Sequence, residues 1–195
     1  PDECHHVVAG EWEKILAANP NAWVIGVTAT PVRLDGRGLR SAFDTLVMGP
    51  QKSWLIQNGY LVPSVVVNPG KPELKGVRTQ RGDYKERDIE AVMDKPTIYG
   101  DVIREWRKWA DGKLTAAFCT TVDHAKHTAD VFNSHGIPAV SMDGKMKPAE
   151  RAECLRKWET GEYQVVASCN LFSEGFDLPA IECVLCLRPT KSLCL

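Results

Sequence analysis

Apolar positions along this chain follow two periods, and the change from one to the other marks its elements. Ile98, Val102, Ile103, Trp106 and Trp109 or Ala110 recur every three or four residues, which predicts a helix over 97–110 with Pro96 at its start. Beyond it, compact apolar runs alternate with helical patterns: strand 114–119, helix 122–134, strand 139–142, helix 148–158, then strands 164–168 and 181–187. Strands separated by helices of this length argue for βαβ units and a parallel sheet covered on both faces, hence an α/β fold. The earlier part is less regular. Trp12, Ile15, Leu16 and Ala18 predict a helix stopped by Asn19-Pro20-Asn21, and residues 23–27 read as a buried strand. A strand over 43–48 and a helix over 52–58 ended by Gly59 come next, and Val65, Val66 and Val67 predict another strand beyond Pro63. Residues 32–39 and 68–82 lack either period and read as loops, and 83–93 reads as helical. The change in character near Pro63 divides the chain into domains of residues 1–60 and 61–195.

Length and composition narrow the class without choosing a function. The 195 residues, 44% hydrophobic, suffice for one large or two small cores. Lysine plus arginine, 24, nearly balance aspartate plus glutamate, 25, so attraction to a polyanion has to come from a local patch. No apolar run approaches the roughly 20 residues that span a bilayer, which with the absence of a secretory pattern leads us to expect an intracellular, cytoplasmic protein and no membrane partner. Seven cysteines scattered through predicted strands and helices fit reduced thiols.

Candidate chemistry begins at Asp2-Glu3-Cys4-His5-His6. Adjacent carboxylates suit a hydrolase in which one holds a hard cation and the other orients an attacking water. About two dozen residues later, the strand over 23–27 ends in Thr28-Ala29-Thr30-Pro31, and ligands of open α/β sheets sit at the carboxyl ends of strands. The pair resembles motifs II (Asp-Glu-x-His) and III (Thr-Ala-Thr) of superfamily 2 helicases, motors driven by ATP hydrolysis. The resemblance implies that Asp2 holds Mg²⁺ through water, that Glu3 polarises the water attacking the γ-phosphate, and that His5 couples this site to Thr28 and Thr30. Cys4 falls at the variable position, and His6 receives no role.

The second half adds to it. Ser173-Glu174-Gly175-Phe176-Asp177-Leu178-Pro179, set between two predicted strands, resembles motif V, which makes Gly175 and Asp177 nucleotide-side residues. Phe118-Cys119-Thr120-Thr121 resembles motif IV. By the same resemblance Thr120, Thr121, Ser168 and Asn170 contact a nucleic-acid backbone; Cys169 stands where relatives often have threonine, and Ser168 is its substitute. Hydroxyls and backbone N–H groups suit phosphate contacts, which position a strand without reading its sequence. Thr121 also serves as a helix N-cap. Asp143-Gly144-Lys145, Arg151 and Gly161 match the segment between motifs IV and V, and Arg188-Pro189-Thr190-Lys191-Ser192 matches the segment after motif V. Residues 56–63 match the segment joining the two motor domains.

Other constellations have plainer readings. Cys4, His5 and His6 are consecutive and cannot readily converge on one zinc ion. Cys183 and Cys186 sit three apart in a predicted strand, point to opposite faces, and are expected to be core cysteines. His124 and His127 are expected on an exposed polar helix face.

The fold expected from the resemblance is therefore RecA-like, with parallel sheets flanked by helices: part of domain 1, then most of domain 2. The chain contains no Gly-x-x-x-x-Gly-Lys-Ser/Thr phosphate loop, and it stops before the Gln-x-x-Gly-Arg-x-x-Arg of motif VI. We therefore expect a fragment of an ATP- and Mg²⁺-dependent helicase or translocase that is inactive alone. Nucleic acid is the expected partner, with DNA favoured by the resemblance to bacterial and phage DNA helicases. Two alternatives stand beside this: a non-catalytic nucleic-acid-binding module with the motor fold, and the motor portion of a restriction or remodelling enzyme.

Overall fold

A computed structural model describes residues 1–7, 10–31, 38–68, 72–80, 83–172 and 176–191. It divides into two compact units, the second beginning at Asn68 and ending at Lys191; the sequence-based boundary lies seven residues before that division.

In the first unit a single 3-10 turn, Cys4–His6, precedes helix α1, Gly10–Ala17. Asn19 ends α1 by donating its side-chain amide to the Ile15 carbonyl at 2.9 Å. A second helix, α2, Lys52–Gln57, stops before Gly59, whose φ of 75° suits a residue without a Cβ. The three strands expected at 23–27, 43–48 and 64–67 take no regular secondary structure and belong to no sheet among the described residues. A strand exists only through its partner, and here pairing among the described residues is limited to Val27, which donates to the Pro1 carbonyl (3.1 Å) and accepts from the Cys4 N–H (3.0 Å). Trp23 is 98% exposed and Ile25 81%, while Val24, Gly26 and Thr28 are half-buried, so this segment covers one face only.

The Cys4 side chain is buried against that segment. A Cβ on Gly26 would stand 2.6 Å from the Cys4 Cβ and 2.6 Å from the Phe43 ring. Glycine is therefore required for the opening turn to lie on this segment. We expect Gly26→Ala to destabilise the first unit by about 1–3 kcal/mol, the cost of overpacking a filled site. Gly38→Ala, which meets open space, should change little. Chemical denaturation followed by tryptophan fluorescence compares them, and equal midpoints would overturn the argument.

The second unit carries the sheet. A two-residue ribbon, β1 Thr79–Gln80 against β2 Asp83–Tyr84, leads into α3, Glu86–Met93, and α4, Pro96–Trp109. Then come β3 Thr115–Phe118, α5 Val122–Ser134, β4 Ala139–Met142, α6 Pro148–Glu159, β5 Val165–Ser168 and β6 Cys183–Cys186. The ribbon corrects the reading of 68–82 as loop throughout, and α3 starts three residues later than expected. Arg78 closes this corner with a two-pronged bond to Asp88, at 2.7 and 2.9 Å, which holds the Asp88 carboxyl down at about 2.

Strands β3 to β6 form one parallel sheet in the order β4-β5-β3-β6, with Phe118 opposite Ser168 and Cys186. Alternation sorts their side chains. Ala117, Cys119, Ala139, Val165 and Ala167 pack with Ile89, Trp106 and Phe132 of α3, α4 and α5. Ala116, Met142 and Val166 pack with Trp158 of α6 and with Phe172. Helices therefore cover both faces, and the Trp106 indole N–H ties α4 to β3 through the Thr115 hydroxyl at 2.9 Å. At the edge, Cys183 packs on the first of these clusters, whereas Cys186 is exposed beside Val184. The expectation of two core cysteines holds for Cys183 alone, because nothing among the described residues covers the outer face of β6.

Candidate functional site

Backbone pairing between the opening residues and Val27 places the 3-10 turn beside Thr28. Four side chains thereby converge although about 25 residues separate them. The His5 Nδ1 lies 2.9 Å from the Thr28 hydroxyl, 3.3 Å from Glu3 Oε2 and 3.5 Å from the Thr30 hydroxyl. The Thr28 hydroxyl also accepts the Thr30 N–H at 3.1 Å and stands 3.5 Å from Glu3 Oε2. Glu3 itself has φ 45° and ψ 49°, a left-handed conformation that costs a glutamate of order 1–3 kcal/mol. Such strain persists where surrounding bonds over-determine it, and here the Asp2 carboxylate accepts the Glu3 N–H at 2.9 Å. Asp2 is exposed.

No three His, Cys, Asp or Glu side chains gather into a metal cage among the described residues. The exposed Asp2 carboxylate could hold a hydrated cation through one of its bound waters, with water and phosphate as the cation's own ligands. Cys4 points into the core, away from such a site. His6, without a role in the motif, packs its ring on His5 at 4.1 Å.

In the second unit the candidates lie where the parallel strands end. Thr121 caps α5, its hydroxyl accepting the His124 N–H at 3.0 Å and donating to Glu90 at 2.7 Å. Asn170, with φ 54°, accepts a bond from the Arg188 guanidinium. Both reach the surface. Thr120 and Ser168 do not: Thr120 is 1% exposed, with its hydroxyl 2.8 Å from the His124 Nδ1, and the buried Ser168 hydroxyl has no partner among the described residues. Asp177 is exposed, whereas Gly175 lies outside the described residues.

His124 is buried, which corrects its assignment to an exposed face; His127, one turn on, is exposed and pairs with Asp94. The His124 Nδ1 accepts the Thr120 N–H at 3.2 Å, so the ring proton belongs on Nε2. Burial pushes this imidazole below its ordinary 6.5, against the opposing pull of Asp94 and Glu90. The ring is thus neutral when folded and binds a proton more readily when unfolded, so stability is complete above 6.5 and is lost as pH falls through that value. Melting temperature measured from about pH 8 down to about pH 5 should fall in this window, and His124→Gln should flatten the slope there.

Residues 95–194 match the family model for the helicase conserved C-terminal domain, slightly more than half of the chain. The chain belongs to this helicase family. Residues 1–33 of the helicase chain match a second model, the res subunit of type III restriction enzymes. A 51.5 kDa protein of a Lactococcus phage is 34% identical over 194 residues, covering 100% of this chain and 43% of its own length. IRC3 of Saccharomyces cerevisiae, whose own description as an ATP-dependent helicase is provisional, is 28% identical over 98% of this chain and 29% of its own. The UvrABC system protein B of Chlorobium limicola is 33% identical over 83% of this chain and 23% of its own. The helicase chain spans less than half the length of these relatives. Its parallel sheet with helices on both faces is the RecA-like arrangement expected of the family.

Neither Glu90 nor Asp83 stood out in the sequence. The signal available was the spacing of acids at 83, 86, 90 and 94, which places Glu86 and Glu90 on one face of α3 with Asp94 at its C-cap.

Proposed function

We propose that this chain is part of an ATP-driven helicase or translocase that moves along nucleic acid, with DNA favoured over RNA. The observation that carries the reading is the convergence of Glu3, His5, Thr28 and Thr30. Asp2, exposed and next to Glu3, is the residue that would hold Mg²⁺ through water. When bound, the cation neutralises charge developing on the phosphates. Glu3 accepts a hydrogen bond from the attacking water and draws off its proton. His5 stands between that carboxylate and the two threonine hydroxyls, so a change in its hydrogen bonds reports the state of the nucleotide to the Thr28–Thr30 segment. In the second unit Thr121 and Asn170 offer surface hydroxyl and amide groups to a phosphate backbone. Thr120 and Ser168 act behind them, by holding the strand ends in place. The resemblance to motif V makes Gly175 and Asp177 the second unit's candidate nucleotide-side residues. ATP as fuel fits a protein that works inside the cell, in the cytoplasm.

The test is release of inorganic phosphate with and without single-stranded DNA or RNA. The 195-residue chain alone, lacking a phosphate loop, should not hydrolyse ATP. Joined to a relative's phosphate-loop domain and final arginine motif, it should hydrolyse ATP with magnesium, and faster when DNA is added. Binding of nucleic acid without turnover in that joined protein would favour the non-catalytic module instead, and turnover indifferent to any nucleic acid would remove the motor reading.

A further inference from the structure

Thr121, Arg188, Thr190 and Lys191, beyond the carboxyl ends of β3 and β6, already contact carboxylates, and these carboxylates come from one short segment. Glu90 takes the Thr121 hydroxyl at 2.7 Å. Asp83 accepts the Thr190 hydroxyl and the Lys191 N–H, each at 2.8 Å, and Tyr84 lies under the Lys191 ammonium at 4.9 Å. Glu86 stands 3.9 Å from Arg188, the side chain that holds Asn170. Hydroxyl, backbone N–H and guanidinium are the groups by which proteins grip phosphate oxygens. Here carboxylate oxygens stand in their place.

The other faces of α3 explain how it is held there. Ile89 and Met93 are buried in the core, and Asp88 is bound to Arg78 on the ribbon. This leaves Glu86 and Glu90, with Asp83 ahead of them, facing the strand ends. Residues 83–90 also precede residue 95, where the match to the helicase family model begins. The acidic segment thus lies ahead of the matched domain in the chain and folds onto its edge.

We propose that this segment is an autoinhibitory strap, in which Asp83, Glu86 and Glu90 occupy phosphate-gripping groups at the strand ends and compete with a nucleic-acid backbone for them. The proposal rests on the nucleic-acid reading of Thr121 and Asn170 given above. A phosphate chain arriving at this edge meets carboxylates at contact distance from its own binding groups, and like charges so placed oppose binding. The strap weakens binding at low salt most, because screening shortens the reach of its charge.

The experiment measures binding of a fluorescent single-stranded oligonucleotide across a salt series, with wild type beside Asp83→Asn/Glu86→Gln/Glu90→Gln. These amides keep an acceptor oxygen while removing charge. We expect the triple variant to bind about tenfold tighter at low salt, with the difference shrinking as salt rises. A charge-matched control, Asp101→Asn/Glu153→Gln/Glu162→Gln, removes three exposed acids elsewhere and should gain less than about twofold. If the triple variant melts early, Glu86→Gln alone decides, since Glu86 is 57% exposed, and it should gain about two- to threefold. Unchanged or weaker binding by the strap variants, or an equal gain in the control, overturns the strap and leaves the nucleic-acid reading standing. No binding by any of the proteins, even at low salt, removes that reading and the strap with it.

Discussion

Replacing Glu3 with glutamine should lower ATP hydrolysis by about two to four orders of magnitude, the usual contribution of a general base, while leaving nucleotide binding intact. The substitution is specific because glutamine matches glutamate in shape and leaves Asp2, the proposed cation ligand, untouched. It also inherits the same left-handed backbone, φ 45°, so the strain at this residue is unchanged and the loss reports chemistry alone. His5→Ala should behave differently. It removes the ring that links Glu3 to the Thr28 and Thr30 hydroxyls, so hydrolysis should lose its response to nucleic acid more than its basal rate. Phosphate release and binding of a fluorescent ATP analogue, measured on the chain joined to a phosphate-loop domain and arginine motif, separate the two. A Glu3→Gln protein that hydrolyses ATP at the wild-type rate would show that Glu3 does not handle the attacking water.

Trp158 is the site of the second large effect, on stability. It is fully buried beneath the sheet, stacked 6.2 Å from the Phe176 ring and 5.6 Å from Phe172. Trp158→Ala should cost the second unit about 3–5 kcal/mol, since the bulk removed is large and neighbours on a sheet cannot collapse into the space. Trp158→Phe should cost far less. The Trp158 indole N–H has no partner among the described residues, so phenylalanine keeps an aromatic ring in the cluster while removing an unpaired buried donor that itself costs about 1–3 kcal/mol. Trp109→Ala, at 49% exposed, should change stability by less than about 0.5 kcal/mol. Urea denaturation orders the three, and a Trp158→Ala loss no greater than that of Trp109→Ala would remove Trp158 from the core. Function should track stability here, because Phe176 rests on this ring and Asp177 comes directly after it in the chain.

The autoinhibitory strap depends on context in the same way. Asp83, Glu86 and Glu90 are ordinary surface acids in sequence, and the near balance of 24 basic and 25 acidic residues hides them. Only the fold sets them against Thr121, Arg188 and Lys191, up to 108 residues away along the chain.

What the sequence determined by itself is whatever local periodicity controls. Helices α4, α5 and α6 and strand β4 lie where the spacing of apolar residues put them, because a helix satisfies its own backbone bonds and an alternating strand sorts its own side chains. The order and spacing of the motifs they resemble also singled out Asp2, Glu3, His5, Thr28 and Thr30 as candidates. Tertiary structure decided the rest. It left 23–27, 43–48 and 64–67 outside any sheet among the described residues, since a strand depends on a partner that its own residues do not specify. It paired Thr79–Gln80 with Asp83–Tyr84 inside a stretch without apolar rhythm. It buried His124 and the Thr120 and Ser168 hydroxyls while leaving Thr121 and Asn170 at the surface, because which side of a strand end is covered depends on the helix packed over it. And it brought Glu3, His5, Thr28 and Thr30 within hydrogen-bonding reach through two backbone bonds to Val27, a contact between remote residues that spacing alone does not fix.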